Sequence, residues 1–122
     1  MNNIQLPFLV EGILILAAAG FGLLLRRKGK PYGKGKLVVH LFFFLWFATG
    51  FGFILYALSA AQISVVAWGV VTLMGLAVVT QLVSGLVLLF VKSTAKSLPR
   101  IHLTSAIVMF VCDVAAFFLT GS

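Results

Sequence analysis

The chain has 122 residues, 62% of them hydrophobic and 9% charged, with a formal net charge of +7. A soluble domain carries about 25% charged residues, so this composition excludes a water-facing globular protein and points to a bilayer. The single cysteine, Cys112, excludes an internal disulfide and a thiol oxidoreductase built on an internal cysteine pair; in its apolar run it reads as a small hydrophobe.

Four stretches are long enough to span, taking about 20 residues at 1.5 Å rise per ~30 Å of hydrocarbon. The first, Ile4–Leu25, lacks a basic leading region and is too long in its apolar part for a removable signal peptide, so it reads as a span; it carries Glu11. The second, Leu37–Ala60, opens in "KLVVHLFFF" with His40. The third, Ile63–Val91, exceeds the length required and is expected to tilt or project. The fourth, Ile101–Leu119, opens in "LPRIHLTSA" with His102 and carries Asp113. The expected fold is all-α: an integral-membrane, up-down four-helix bundle forming one transmembrane domain over residues 1–122.

All nine Lys and Arg lie in two segments, "RRKGKPYGKGK" after the first span and "KSTAKSLPR" after the third. The positive-inside rule puts both in the cytoplasm and both termini outside, as in a bacterial inner (cytoplasmic) membrane. At membrane ends such charge reads as topology and anionic-lipid contact rather than nucleic-acid binding. "GKPYGKGK" has glycine and lysine but no strand-loop-helix frame, so it is not a phosphate loop.

His40 and His102 are the only histidines. Each follows a basic residue, Lys36 or Arg100, and each opens a span that runs from inside to outside. They therefore share a depth about one turn below the cytoplasmic surface, on helices that are diagonal partners in an up-down bundle. Two imidazoles facing each other at one depth match the two axial positions of a haem iron. Zinc is disfavoured, because two histidines without Cys, Asp or Glu nearby leave the tetrahedral set incomplete. The chain also reads as a duplicated two-helix hairpin: "GFGLLLRRKGKPYGKGKLVVH" can be laid against "SGLVLLFVKSTAKSLPRIH".

Helical spacing puts Phe44, Phe47 and Phe51 on the face of His40, and Ala106, Met109 and Asp113 on the face of His102. Ser105 and Ala106 leave room beside His102 for a flat macrocycle. Gly20, Gly22 and Gly85 fall near the histidine level, where they allow close backbone approach or small-residue helix packing. Lys36, Arg100 and Arg26 sit where haem propionates would emerge. Phe42, Phe43, Phe44, Trp46 and Phe47 would keep the site dry, or "FFFLWF" is lipid-facing surface.

A basic residue, then His, then a Phe- and Gly-rich apolar helix, with a second copy from Arg100 and His102, resembles the b-type membrane cytochromes of the cytochrome b-561 kind. The likeness covers His40 to Leu55 and Arg100 to Leu119. It implies a four-helix core holding haem b between histidines, with electrons exchanged with quinones, ascorbate or metal ions. Many relatives carry four histidine ligands and two haems. Here the resemblance supports one haem, on the inner side. With both axial positions filled, electron transfer is the expected task rather than oxygen activation. Quinone or a partner redox subunit would supply or remove the electron, and the chain could also self-associate.

Glu11 and Asp113 are the only acids. Both lie about 10 Å below the outer surface by helical rise. Ionisable groups inside a span are functional candidates, and spans one and four can be neighbours, so the two read as a proton-handling or quinol site. The bland alternative is a hydrogen bond from each acid to a group such as Thr72 or Thr49. Two other functions stay open: a small non-catalytic accessory subunit of a larger membrane complex, and a small proton-coupled transporter using Glu11. The strong charge bias and the idle histidines weigh against the transporter.

Overall fold

The computed structural model of the protein describes residues 3–25, 34–90 and 97–121. Hydrocarbon offers no hydrogen-bond partner, so a spanning segment must satisfy its backbone internally. The four apolar stretches do this as helices: α1 (Gln5–Leu25), α2 (Lys34–Ser59), α3 (Val65–Phe90) and α4 (Ser97–Leu119). Each is long and apolar enough to cross a membrane. The protein is thus an all-α four-helix membrane protein.

The helix ends differ from the apolar stretches for local reasons. α2 and α4 begin before the hydrocarbon-like sequence does, at Lys34 and Ser97. Pro7 and Pro99 fall in the first turns of α1 and α4, where a missing N–H has no intrahelical acceptor to lose. α3 begins at Val65 rather than Ile63 because Ser64 caps it: its Oγ accepts the Ala67 N–H at 3.1 Å. Along the spans, the Thr49, Thr72 and Thr80 hydroxyls donate to the carbonyls of Leu45, Trp68 and Leu76 at 2.9, 2.8 and 2.9 Å. Bonded to their own helices, these side chains can face lipid.

α1 packs on both α2 and α4, and α3 packs on α4; no comparably close packing joins α2 to α3 among the described residues. The diagonal pairs are therefore α1/α3 and α2/α4, and the α2–α3 side is the loosest. Phe51 of α2 spans it, its ring 3.9 Å from where a Cβ on Gly75 of α3 would stand. At the end opposite the basic segments, Gln5 Nε2 donates to the Phe117 carbonyl at 3.0 Å and ties α1 to α4.

The interior is a column of large side chains, with Phe8, Phe47, Leu58, Val71 and Met74 fully buried. The Phe47 and Phe51 rings stack at 6.3 Å and 14°. The "FFFLWF" run divides by helical rotation. Phe47 turns inward, while Phe42 and Trp46 pack edge to face at 5.5 Å on the outer surface, Trp46 being 57% exposed. Phe43 is half-buried and stacks on Phe21 of α1 at 5.8 Å. The expectation that all five aromatics shield one interior site is thus corrected: at 100° per residue, consecutive positions cannot share a face.

Phe47→Ala should lower stability by about 3–5 kcal/mol, the usual cost of emptying a large aromatic site, whereas Trp46→Ala should leave it nearly unchanged. Thermal unfolding of both variants in one detergent checks this.

Candidate functional site

Each histidine is built the same way: its Cε1 edge abuts a glycine of the preceding helix. A Cβ on Gly22 of α1 would stand 3.1 Å from His40 Cε1, and a Cβ on Gly85 of α3 would stand 3.1 Å from His102 Cε1. The expected depth match is therefore matched packing as well. A second pair repeats the correspondence one helix span away. Gly12 of α1 faces Asp113 of α4, and Gly75 of α3 faces Phe51 of α2. The two hairpins thus use equivalent glycines for equivalent contacts, but hold an acid in one place and a phenyl ring in the other. Gly20 does not join them, since a Cβ there would meet nothing within 4 Å.

Both histidines line one cavity of about 290 Å3 between the four helices. Gly22, Gly85, Phe44, Ala106, Phe47 and Met109 are part of its wall. Among the described residues, His40, His102 and Gln81 are the polar side chains of its wall. Lys36 is exposed on α2. Arg100 lines a separate groove between α3 and α4 with Thr80, Ser97 and Thr104. Neither comes to the cavity wall, because each lies on the outward side of its helix; Arg26 lies outside the described residues.

The hydrogen bonds fix the tautomers. His40 Nδ1 is 2.7 Å from the Ala18 carbonyl oxygen, and a carbonyl only accepts, so Nδ1 carries the proton and Nε2 holds the lone pair. In the other half, Ser105 Oγ donates to Gln81 Oε1 at 2.5 Å, which turns the Gln81 amide nitrogen toward His102 Nε2 at 3.0 Å. His102 Nε2 is thereby the acceptor. His102 Nδ1–H then donates to Ser84 Oγ at 2.8 Å, and Ser84 Oγ donates to the Gln81 carbonyl at 3.2 Å. Both rings carry the proton on Nδ1 and the lone pair on Nε2. Held through one ring nitrogen, an imidazole is oriented to coordinate through the other.

This donor set suits a group that needs two axial nitrogens. No cluster of three or more His, Cys, Asp and Glu forms among the described residues, so a protein-only tetrahedral metal site is not assembled here. A macrocycle that supplies its own equatorial nitrogens asks for no more than two imidazoles. The halves are unequal: the Ser84 hydroxyl takes the His102 Nδ1–H where the Ala18 carbonyl takes that of His40, and Gln81 of α3 fills the place that Ala18 holds on α1. Its amide occupies the lone pair of His102 and has to swing aside before that nitrogen can coordinate.

Glu11 and Asp113 form the second cluster, toward the opposite end. Each is 2% exposed. Asp113 Oδ2 lies 2.7 Å from where a Cβ on Gly12 would stand, and Glu11 Oε1 presses against Gly50 of α2. The two carboxyls are near enough for their charges to interact. Glu11 Oε2 and Asp113 Oδ1 have no hydrogen-bond partner among the described residues. Thr49 and Thr72, the hydroxyls expected to satisfy them, bond their own helices instead.

Sequence reasoning passed over Gln81, Ser84, Gly12 and Gly50. The available signal for Gln81 was an amide in the middle of an apolar span, which demands a partner. For the glycines there was none, since Gly20 and Gly22 read alike. In comparison with known proteins, the chain matches no family model, no curated protein and no solved structure.

Two outcomes test this geometry. In 15N-histidine NMR both rings should show a protonated Nδ1 and an unprotonated Nε2. Gly22→Leu should cost about 1–3 kcal/mol by overpacking against His40, while Gly20→Leu should cost nothing of the kind in the same thermal assay.

Proposed function

We propose that the chain is a membrane electron-transfer protein that binds one haem b between His40 and His102, near the cytoplasmic face of an inner membrane with both termini outside. The observation that carries this reading is the pair of imidazoles, one from each hairpin, that line a single cavity while each Nδ1–H is held elsewhere. The likeness of the His40 and Arg100–His102 segments to cytochrome b-561-type proteins points the same way. The confinement of Lys and Arg to two segments supports the orientation.

When bound, the haem iron supplies a one-electron redox centre. The chain's own contributions are separate. The Ala18 carbonyl and the Ser84 hydroxyl hold the two Nδ1 protons, which fixes ring orientation and strengthens each imidazole as a donor. Gly22 and Gly85 let the rings lie back against α1 and α3. Phe44, Phe47, Ala106 and Met109 exclude water, and a dry apolar wall shifts a redox potential by penalising the more charged state. Lys36 and Arg100 have no assigned part in this reading. The electron would pass to or from a quinone or a partner redox subunit.

The test is a dithionite-reduced minus oxidised spectrum of protein purified from haem-replete cells. A sharp b-type α band should appear in the wild type and vanish in both His40→Ala and His102→Ala. It should persist in Gln81→Ala, which clears the lone pair of His102 without touching a ligand. A wild type with no band would remove the cytochrome reading and leave a non-catalytic accessory subunit as the better description.

A further inference from the structure

The two acids have no use in the histidine cavity, and packing does not require them. The equivalent place in the other half, where Gly75 faces Phe51, is filled with hydrocarbon. An orphaned polar atom in a protein interior needs a reason, and here there are two, Glu11 Oε2 and Asp113 Oδ1, on side chains each 2% exposed. Two glycines, Gly12 and Gly50, leave the room the carboxyls occupy: a Cβ at either position would run into a carboxyl oxygen.

The neighbours decide what occupies the pair. α1 has no titratable residue but Glu11, and α3 has none at all. α2 turns Gly50 toward the pair; its Lys36 and His40 belong to the far end, and Tyr56 is exposed. α4 adds the buried thiol of Cys112 next to Asp113, with His102 eleven residues and about 16 Å away along the axis. No basic side chain faces the carboxyls from any described helix. Two buried carboxylates within reach of each other's charge, and without a countercharge, repel each other and are poorly solvated. A hard metal cation takes about six oxygen ligands or more, which two carboxyls and two glycines do not provide. A proton needs only two.

We infer that Glu11 and Asp113 form a proton-binding site in which the pair holds one exchangeable proton. One carboxyl is the neutral acid and the other the carboxylate, so the pair carries a charge of −1 instead of −2. The proton comes from and returns to water at the end of the bundle opposite the basic segments. The pair lies about 9 Å inside that end, six residues from Gln5 on α1 and six from Leu119 on α4. This site is independent of whether a haem is bound.

The chain allows a test without mutation, because it contains one glutamate and one aspartate. Side-chain 13C-labelled Glu or Asp, introduced one at a time into the whole protein in lipid, assigns each carbonyl stretch in the infrared. At neutral pH the labels should report one carboxylic-acid carbonyl and one carboxylate per chain. The acid band should move when H2O is replaced by D2O. Two carboxylate bands would overturn the site, and two acid bands would overturn the single charge of the pair. An acid band that ignores D2O would overturn the exchange with water. None of these readings depends on the cofactor, so failure here is distinct from failure of the cytochrome reading.

Discussion

Lipid accepts no hydrogen bonds, and that constraint sorts every polar side chain in these four helices. A hydroxyl has two options, and Thr49, Thr72 and Thr80 take the local one by bonding a carbonyl one turn back. An imidazole or an amide cannot do this from most positions, so His40, His102, Gln81, Ser84 and Ser105 are drawn into contacts between helices. A carboxyl is the hardest case. Glu11 and Asp113 each end with an oxygen that bonds nothing among the described residues. The interior polar groups are therefore few, oriented and concentrated at two levels, which is the condition for reading them as sites.

Glycine is the device that makes both levels possible. Helices in lipid gain little from expelling water between them, so close approach has to come from small residues. Here the approach is spent on side chains rather than on backbone pairs: Gly22 and Gly85 receive imidazoles, Gly12 and Gly50 receive carboxyls, and Gly75 receives a phenyl ring. The same contacts recur in both hairpins, yet α1 and α4 are close-packed while α2 and α3 are not. The halves share positions but not contents: Asp113 in one stands where Phe51 does in the other, and Gln81 stands where Ala18 does.

The architecture was legible because apolar length and confined charge are strong signals over whole segments. The faces were legible where spacing carried them: Phe47, Met109 and Asp113 are buried as their distance from the histidines implies. What spacing could not carry was the fate of residues whose partner lies on another helix. Gly20 and Gly22 are two residues apart, and only one meets a histidine. Lys36 and Arg100 precede the histidines closely, but the rotation of α2 and α4 turns them away from the cavity. Gln81 gives no local sign that its amide ends on His102, because that contact is set by the α3–α4 crossing and by Ser105.

The near-repeat of the two hairpins gives the molecule an internal reference. His40 and His102 each abut a glycine of the preceding helix, but His40 is held by a backbone carbonyl, that of Ala18, and His102 by two side chains, Ser84 and Gln81. A difference between the two rings in proton exchange, ligand strength or mobility therefore compares an imidazole held by backbone with one held by side chains. Each histidine thus serves as a reference for its counterpart within the same chain.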